Sequence, residues 1–352
     1  TAADDPGIDP RELPAAVKHA RDRLEYFWDA RDGSWGLRRK VPIGMNVVWE
    51  LTGGDPKRAV FTLEKQSALL DPVWGGIYQY SAAEDWKSPH FEKLMTYQAP
   101  NLEAYALASA ATGRADLRAA ARGIVGYIAA FLTAADGTFF VNQDADVNAH
   151  DRAKGFVEGA AYYALPDAQR RALGVPWVDT HVYARENGLA LAALAVSGDL
   201  DRARRAAAVL VRSHLTAHGQ VRHDAKSNGP FFLADAAALG LGFARLAAAT
   251  GDVQHAWAAN RIAQVMVETF ADAANGGALY DSTPDPAAAG VFAKRQKPFV
   301  HNVVAARLLA AVGEPERGRN VLAGISSPAK IDAEGAWVGE YLLAARELGV
   351  TP

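Results

Sequence analysis

The sequence predicts an all-α fold: an (α/α)6 toroid of six helical hairpins, with short β-hairpins in its long loops, filling residues 1–352 as a single domain. Three observations predict it. An apolar helix-like segment, a glycine turn and a second helix-like segment recur five times. The turn glycines, Gly54, Gly113, Gly198, Gly251 and Gly313, stand where a helix must end, and glycine tolerates the left-handed conformation that ends one. A sixth unit is split between the chain ends, and joining its halves closes a ring, which an open solenoid does not need.

The elements follow in order. "PRELPAAVKHARDRLEYFWDA" is a second segment with no first. "VVWELTGGDPKRAVFTLEKQSALL", "YALASAATGRADLRAAARGIVGYIAAFL", "LALAALAVSGDLDRARRAAAVLVRSHL", "LGFARLAAATGDVQHAWAANRIAQVMV" and "ARLLAAVGEPERGRNVLAGI" are complete hairpins. "GAWVGEYLLAARELG" is a first segment with no second, so the N-terminal helix is expected to pair with the C-terminal one. Asp55, Asp199, Asp252 and Glu314 follow the glycines, where an acid favours the next helix's N-terminus. The first helices are Ala/Leu-rich nearly all round, as an inner ring requires. The second helices carry Arg114, Arg118, Arg122, Arg202, Arg204, Arg205, Arg317 and Arg319, as an outer, half-solvated ring would. "GTFFVNQDA", "GQVRHDA" and "GGALYDST" are the β-prone pieces.

Composition excludes several functions. Net charge is −3 with scattered basic residues, so there is no electrostatic footprint for nucleic acid. Apolar runs such as "GLALAALAVSG" fall short of the ~20 residues that span a bilayer. There is no cysteine, which removes disulfides and thiolate catalysis and suits an oxidising compartment such as a periplasm or the cell exterior. The chain begins without methionine, as a matured or shortened soluble protein of bacterial type would. No H-E-x-x-H, phosphate loop or G-x-S-x-G elbow is present, and "GLGFAR" lies within a helix pattern, the wrong context for a dinucleotide. No metal and no cofactor is expected.

In a ring of parallel inner helices the N-termini share one end, and polar residues collect there. Arg38, Arg39 and Lys40 precede the first inner helix. Trp86, His90, Glu92 and Lys93 precede the second, with Tyr97 just inside it. Arg185, Glu186 and Asn187 open the third, Asp235 the fourth, Lys297, His301 and Asn302 the fifth, and Glu334, Trp337 and Glu340 the sixth. Helix N-termini favour anions and hydroxyl-rich ligands, and Trp35, Tyr78, Tyr80, Trp86, Tyr97 and Trp337 offer flat faces. Acids, histidines and aromatics together suit a sugar or another polyol. His90, Glu92, Asp144, Asp146 and His301 are the acid–base candidates; Trp86, Lys93, Tyr97, Arg185, Glu186, Asn187, Asp235, Asn302 and Trp337 are the substrate-binding candidates. Each has a plainer alternative: a hydrogen-bonding role for His90 and Glu92, a helix cap for Asp235, an Asx turn for the D-A-D loop, a solvated loop for Arg38–Lys40, and packing for the tryptophans.

"GGIYQYSAAEDWKSPHFEKLMTYQA" resembles the signature of the spermatogenesis-associated protein 20-like family, also described as thioredoxin-domain-containing proteins of the YyaL type. "FFVNQDADV", "FVEGAAYYAL", "ARENGLALAALA", "FFLADAAALGLGFARLAAATGD", "GGALYDS" and "VHNVVAARLL" resemble later family segments in family order. The resemblance implies an (α/α)6 toroid related to N-acylglucosamine 2-epimerases and six-hairpin glycosidases. That family usually carries a thioredoxin-like domain ahead of the toroid; the expectation here is a stand-alone or shortened version. Pro89, His90, Phe91, Glu92, Lys93, Asp144, Asp146, Asn187, Gly188, Asp235 and Asn302 keep the family frame, whereas Ala83, Thr96, Tyr97, Glu186, Ala236 and His301 depart from it. The expected function is a carbohydrate-active enzyme of the epimerase, isomerase or glycosidase type. The alternative is a non-catalytic toroid that binds a polyol, a peptide or a thioredoxin-like partner.

Overall fold

Hairpins form because an apolar segment and an amphipathic one flank each turn and bury their apolar faces on each other. The computed structural model describes residues 5–351. Helix α1 is Leu13–Tyr26. Then come α2 (Gly44–Thr52), α3 (Pro56–Gln66), α4 (Met95–Thr112), α5 (Ala115–Phe131), α6 (Gly159–Tyr163) and α7 (Asp167–Leu173). The rest are α8 (Ala184–Ser197), α9 (Leu200–Ser213), α10 (Leu233–Thr250), α11 (Val253–Phe270), α12 (Phe299–Ala311), α13 (Pro315–Ala323), α14 (Pro328–Ala333) and α15 (Gly339–Glu347). Two-residue strands occupy the long connections: β1 (Trp28–Asp29), β2 (Ser34–Trp35), β3 (Tyr80–Ser81), β4 (Pro89–His90), β5 (Lys93–Leu94), β6 (Asn142–Gln143) and β7 (Val178–Asp179). The chain falls into two compact units: Phe27–Val182, and the N-terminal stretch through Tyr26 together with the chain from Tyr183 onward.

In the Phe27–Val182 unit, α2 pairs with α3 and α4 with α5. All strand pairings are antiparallel: β1 with β2, β3 with β4, and β5–β6–β7 as a three-stranded ribbon in register Lys93↔Gln143 and Gln143↔Val178. "GTFFVNQDA" therefore contains a strand, β6. The other two β-prone pieces reduce to single bridges, Leu215↔Val221 and Phe232↔Ser282. Helices α6 and α7 lie between the second and third hairpins, where no helix was expected; both are too short to show a periodic apolar stripe.

In the other unit, α8 packs against α9 and α10, α10 against α11 and α12, and α12 against α13 and α15. Helix α1 lies on α14 and α15. His19 Nε2 and Arg23 Nε both reach Asp332, at 3.0 and 3.2 Å, and the Ile8 N–H donates to Ala323 O at 3.0 Å. The two chain ends are thus packed together. Arg307, buried on α12, pairs with Glu340 at 2.9 Å and Glu347 at 3.0 Å on α15. Helix α10 has 18 residues and is apolar enough by composition to reach across a bilayer, but α8, α11 and α12 enclose it as a core helix.

Four turns use glycine as expected, with φ from 69° to 84° at Gly113, Gly198, Gly251 and Gly313. The first turn differs. Gly53 caps α2 at φ −146°, and a Cβ on Gly54 would strike the Glu50 carboxylate, which accepts the Asp55 N–H at 2.6 Å. Asp55 and Asp252 cap α3 and α11 through their side chains. Asp199 and Glu314 instead pair with Arg202 and Arg317 one turn on.

Gly188 brings α8 and α10 together: a Cβ there would overlap the backbone of Ala238 and Leu239. The obstruction is main chain on both helices, so relief requires a helix to shift. Gly188→Ala is expected to cost about 1–3 kcal/mol despite alanine's better helix propensity. Chemical denaturation checks this, and a stabilised variant would contradict the packing.

Candidate active site

Two groups of polar residues emerge, one in each unit. In the Phe27–Val182 unit the "PHFEKL" run builds a core. Lys93 Nζ lies 2.7 Å from Asp71 Oδ2, and Arg170 Nη1 reaches the same oxygen at 2.7 Å. All three side chains are fully buried. Lys93 also donates to Gly75 O at 2.9 Å and sits 4.3–5.1 Å from the ring centroids of Tyr78, Tyr127 and Tyr163. Burial pulls Lys93 down to about 8, opposed by Asp71. Burial pushes Asp71 up, but Lys93 and Arg170 outweigh it and hold that carboxyl below its ordinary value. One carboxylate shared between two cations, wrapped in aromatic faces, is a structural device. Lys93, expected to bind substrate, is closed off from any ligand.

Its neighbours divide between packing and exposure. Trp86 is buried with φ 62°, and its indole donates to Asp32 O at 2.7 Å, so it packs and is no sugar platform. Lys40 is likewise buried, on Asp29 at 2.6 Å, instead of lying in a solvated loop. Tyr97 is half-buried against the aromatic core. His90 stacks on Tyr80, ring centroids 4.9 Å apart, with Nδ1 3.9 Å from Glu92: near, but beyond hydrogen-bond reach. Asp146 accepts the Gly159 N–H at 2.6 Å and so anchors the start of α6. Asp144 pairs with His150 at 2.8 Å, and the His150 ring lies edge-on to exposed Trp177. Asp146 is therefore spent on its loop, and Asp144 already has a partner.

The second group sits at the N-terminal ends of α8, α10 and α12. Asp235, nearly fully buried in the first turn of α10, accepts the Arg185 N–H at 3.1 Å. Its other oxygen lies 2.8 Å from His223 Nδ1. The His223 ring is stacked on Tyr183, centroids 4.2 Å apart, and meets Phe232 edge-on. With Nδ1 held and one face covered, Nε2 is the nitrogen left to act. The hydrogen bond that His223 donates to Asp235 raises His223 above its ordinary 6.5. Burial raises Asp235 and Glu186; Arg185, 3.7 Å from Glu186, opposes the rise in Glu186. Burial first, then the Arg185 charge, push His301 down to about 4, and its Nδ1 is buried without a hydrogen bond. Arg185 thus links the group: its backbone binds Asp235, and its charge acts on Glu186 and His301.

Other candidates in this unit have structural roles. Asn302 accepts the Leu279 N–H at 2.6 Å and donates to Leu279 O and Pro298 O. Asn187 donates to Tyr183 O at 2.8 Å. Both amides are fully buried, so neither contacts a ligand as expected. Trp337 is 46 % exposed, beside half-buried Glu334, whose carboxyl burial raises. Sequence reasoning missed His223, which lies in "GQVRHDA", a piece valued for its β pattern alone; its histidine twelve residues before Asp235 was the available signal. Among the described residues, no three histidines or acids are placed to hold a metal.

The His301 shift has a measurable consequence. Between pH 6.5 and about 4 the unfolded chain takes up a proton that the folded chain refuses, so stability falls as pH drops through that window. The His301 share is on the order of 2–3 kcal/mol. His301→Gln is expected to flatten the fall by that amount in denaturant melts at pH 4 and pH 7. An unchanged pH slope would contradict the burial argument.

No family model matches the chain. Spermatogenesis-associated protein 20 of Homo sapiens is 34% identical over 106 residues, 30% of this chain and 13% of that protein. The Mus musculus protein is 32% identical over 172 residues, 44% of this chain and 22% of that protein. The matched segment thus spans less than a quarter of these relatives' length. Solved structures align far more broadly at low identity. A D-mannose isomerase aligns with TM-score 0.65 at 11% identity, covering 96% of this chain and 97% of its own. The cellobiose 2-epimerase of Bacillus thermoamylovorans B4167 aligns with TM-score 0.61 at 12% identity, over 90% and 86%. A glycosidase solved with glucose aligns with TM-score 0.61 at 14% identity, over 98% and 100%. In sequence the chain is similar to spermatogenesis-associated protein 20 over part of its length, and in fold it is an (α/α)6 toroid like these sugar epimerases, isomerases and glycosidases.

Proposed function

We propose that this chain binds a sugar at the N-terminal ends of α8, α10 and α12 and moves a proton on the carbon next to its carbonyl, as an epimerase or isomerase does. The observation that carries the reading is the His223–Asp235 pair, with Nε2 left free, tied through the Arg185 backbone to Arg185 and Glu186, with the Arg185 charge reaching His301. Such chemistry needs a base to remove the C2 proton of the open-chain sugar, and an acid to protonate the carbonyl oxygen as the enediol forms. Return of the proton to the opposite face of C2 gives the epimer; return to C1 gives the isomer. His301, depressed by burial, is neutral at pH 7, so a ring nitrogen is available to accept the proton, as a weaker base than an ordinary imidazole. His223, raised by Asp235, holds its proton to higher pH and suits the acid role. Two histidines pushed in opposite directions, each within electrostatic reach of the Arg185–Glu186 dipeptide, are what an acid–base pair requires.

Glycoside cleavage is less well served. It needs two available carboxyl groups, and Asp235 is committed to His223 and the Arg185 N–H. The lowered availability of Lys93, Asn187 and Asn302 leaves a binding-only role as the competing reading. A thermal-shift panel of aldoses, ketoses and reducing disaccharides, followed by product analysis, separates the two. Stabilisation with conversion supports the enzyme. Stabilisation without conversion supports a binding module, and no stabilisation by any sugar contradicts both.

A further inference from the structure

We propose that the groove between α11 and α13 is a second, non-catalytic site for a neutral saccharide, with Trp257 as its platform. Helix α11 is an amphipathic hairpin helix, whose outward positions are ordinarily polar. Yet Trp257 is 62 % exposed there, and Val253, one turn earlier on the same face, is 78 % exposed. Trp257, Asn260 and Gln264 follow at helical spacing and line one wall of a groove of about 440 Å³. That volume falls within the roughly 300–1,000 Å³ of small-ligand sites.

The chemistry of the walls selects the ligand. An indole face packs against the C–H face of a pyranose, while planar amides both donate to and accept from ring hydroxyls. The charges are already balanced inside the groove. Two arginines, Arg261 and Arg317, stand against two glutamates, Glu268 and Glu314, and Arg317 lies 3.8 Å from Glu314. Arg261 also donates to His218 O at 2.8 Å, while Asn260 donates to Ala256 O at 2.8 Å and Gln264 to Glu268 at 3.3 Å, each through one of its two N–H groups. No cation is left in surplus for an acidic sugar, so the fit is to a neutral one. Leu309, also in the lining, lies eight residues beyond His301 on α12, ~12 Å along the helix, so this groove is separate from the acid–base group. The inference does not depend on the catalytic reading.

Affinity electrophoresis of the full chain tests it, in gels containing hydroxyethyl cellulose, galactomannan or xylan, with polygalacturonate as the acidic control. At least one neutral polymer is expected to retard migration. Trp257→Ala, and independently Gln264→Ala, should weaken that retardation at least about fivefold, as loss of an anchoring contact does. His223→Ala should leave it unchanged. Absence of retardation by every neutral polymer, retardation by polygalacturonate alone, or retardation that survives both groove substitutions would overturn the proposal.

Discussion

Replacing His223 by Ala is expected to lower sugar turnover by at least about 10³-fold, since general acid–base groups typically supply 10²–10⁴. Melting temperature should also fall by a few degrees, because loss of the ring strips one partner from buried Asp235, which keeps the Arg185 N–H, and the loss of turnover should far exceed what that destabilisation accounts for. Asp235→Asn is the sharper probe. An amide preserves the shape and the hydrogen bond to His223 Nδ1, but it no longer stabilises the charged imidazolium and can favour the wrong tautomer. Turnover should therefore fall nearly as far as in His223→Ala, and the alkaline limb of the pH–rate profile should move down toward the ordinary histidine value of 6.5. Steady-state kinetics across pH 5–9 checks both. A full-rate Asp235→Asn enzyme would mean that the pair only holds the loop.

Asp71→Ala is expected to destabilise the Phe27–Val182 unit by about 3–5 kcal/mol, because it leaves Lys93 and Arg170 buried with no carboxylate between them. The melting midpoint should drop by roughly 5–10 °C. The double variant Asp71→Leu with Lys93→Met should recover part of the loss, since a paired deletion leaves less uncompensated charge than a single one. This outcome distinguishes a structural ion cluster from a ligand site. If Asp71→Ala kept full stability and lost only sugar binding, Lys93 would have to face a ligand after all.

The repeat was legible because each hairpin writes the same short signal, an apolar run, a turn glycine and a charged helix, and in four of the five turns that glycine has positive φ. Helix α1, the N-terminal segment without a first half, packs on α15 and α14. Helices α6, α7 and α14 were not, since five to seven residues hold too few apolar positions to set a period. The sequence put Arg185, Glu186, Asp235 and His301 at helix starts, and they lie in the first turns of α8, α10 and α12. It over-read Lys93, Trp86, Asn187 and Asn302. A polar side chain at a helix mouth can equally turn inward to satisfy loop backbone, and only burial separates the two fates. His223 was missed because it precedes its helix by ten residues and reaches Asp235 through a turn that the sequence does not display.

The most direct test of the central claim is solvent deuterium entering a sugar. The chain is incubated in D₂O with a panel of aldoses, ketoses and reducing disaccharides, and the C1 and C2 positions are read by proton NMR. Enzyme-dependent loss of a C1 or C2 proton signal in at least one sugar, absent with His223→Ala, is the predicted result. No exchange beyond the enzyme-free rate in any sugar, or equal exchange by His223→Ala, would contradict it.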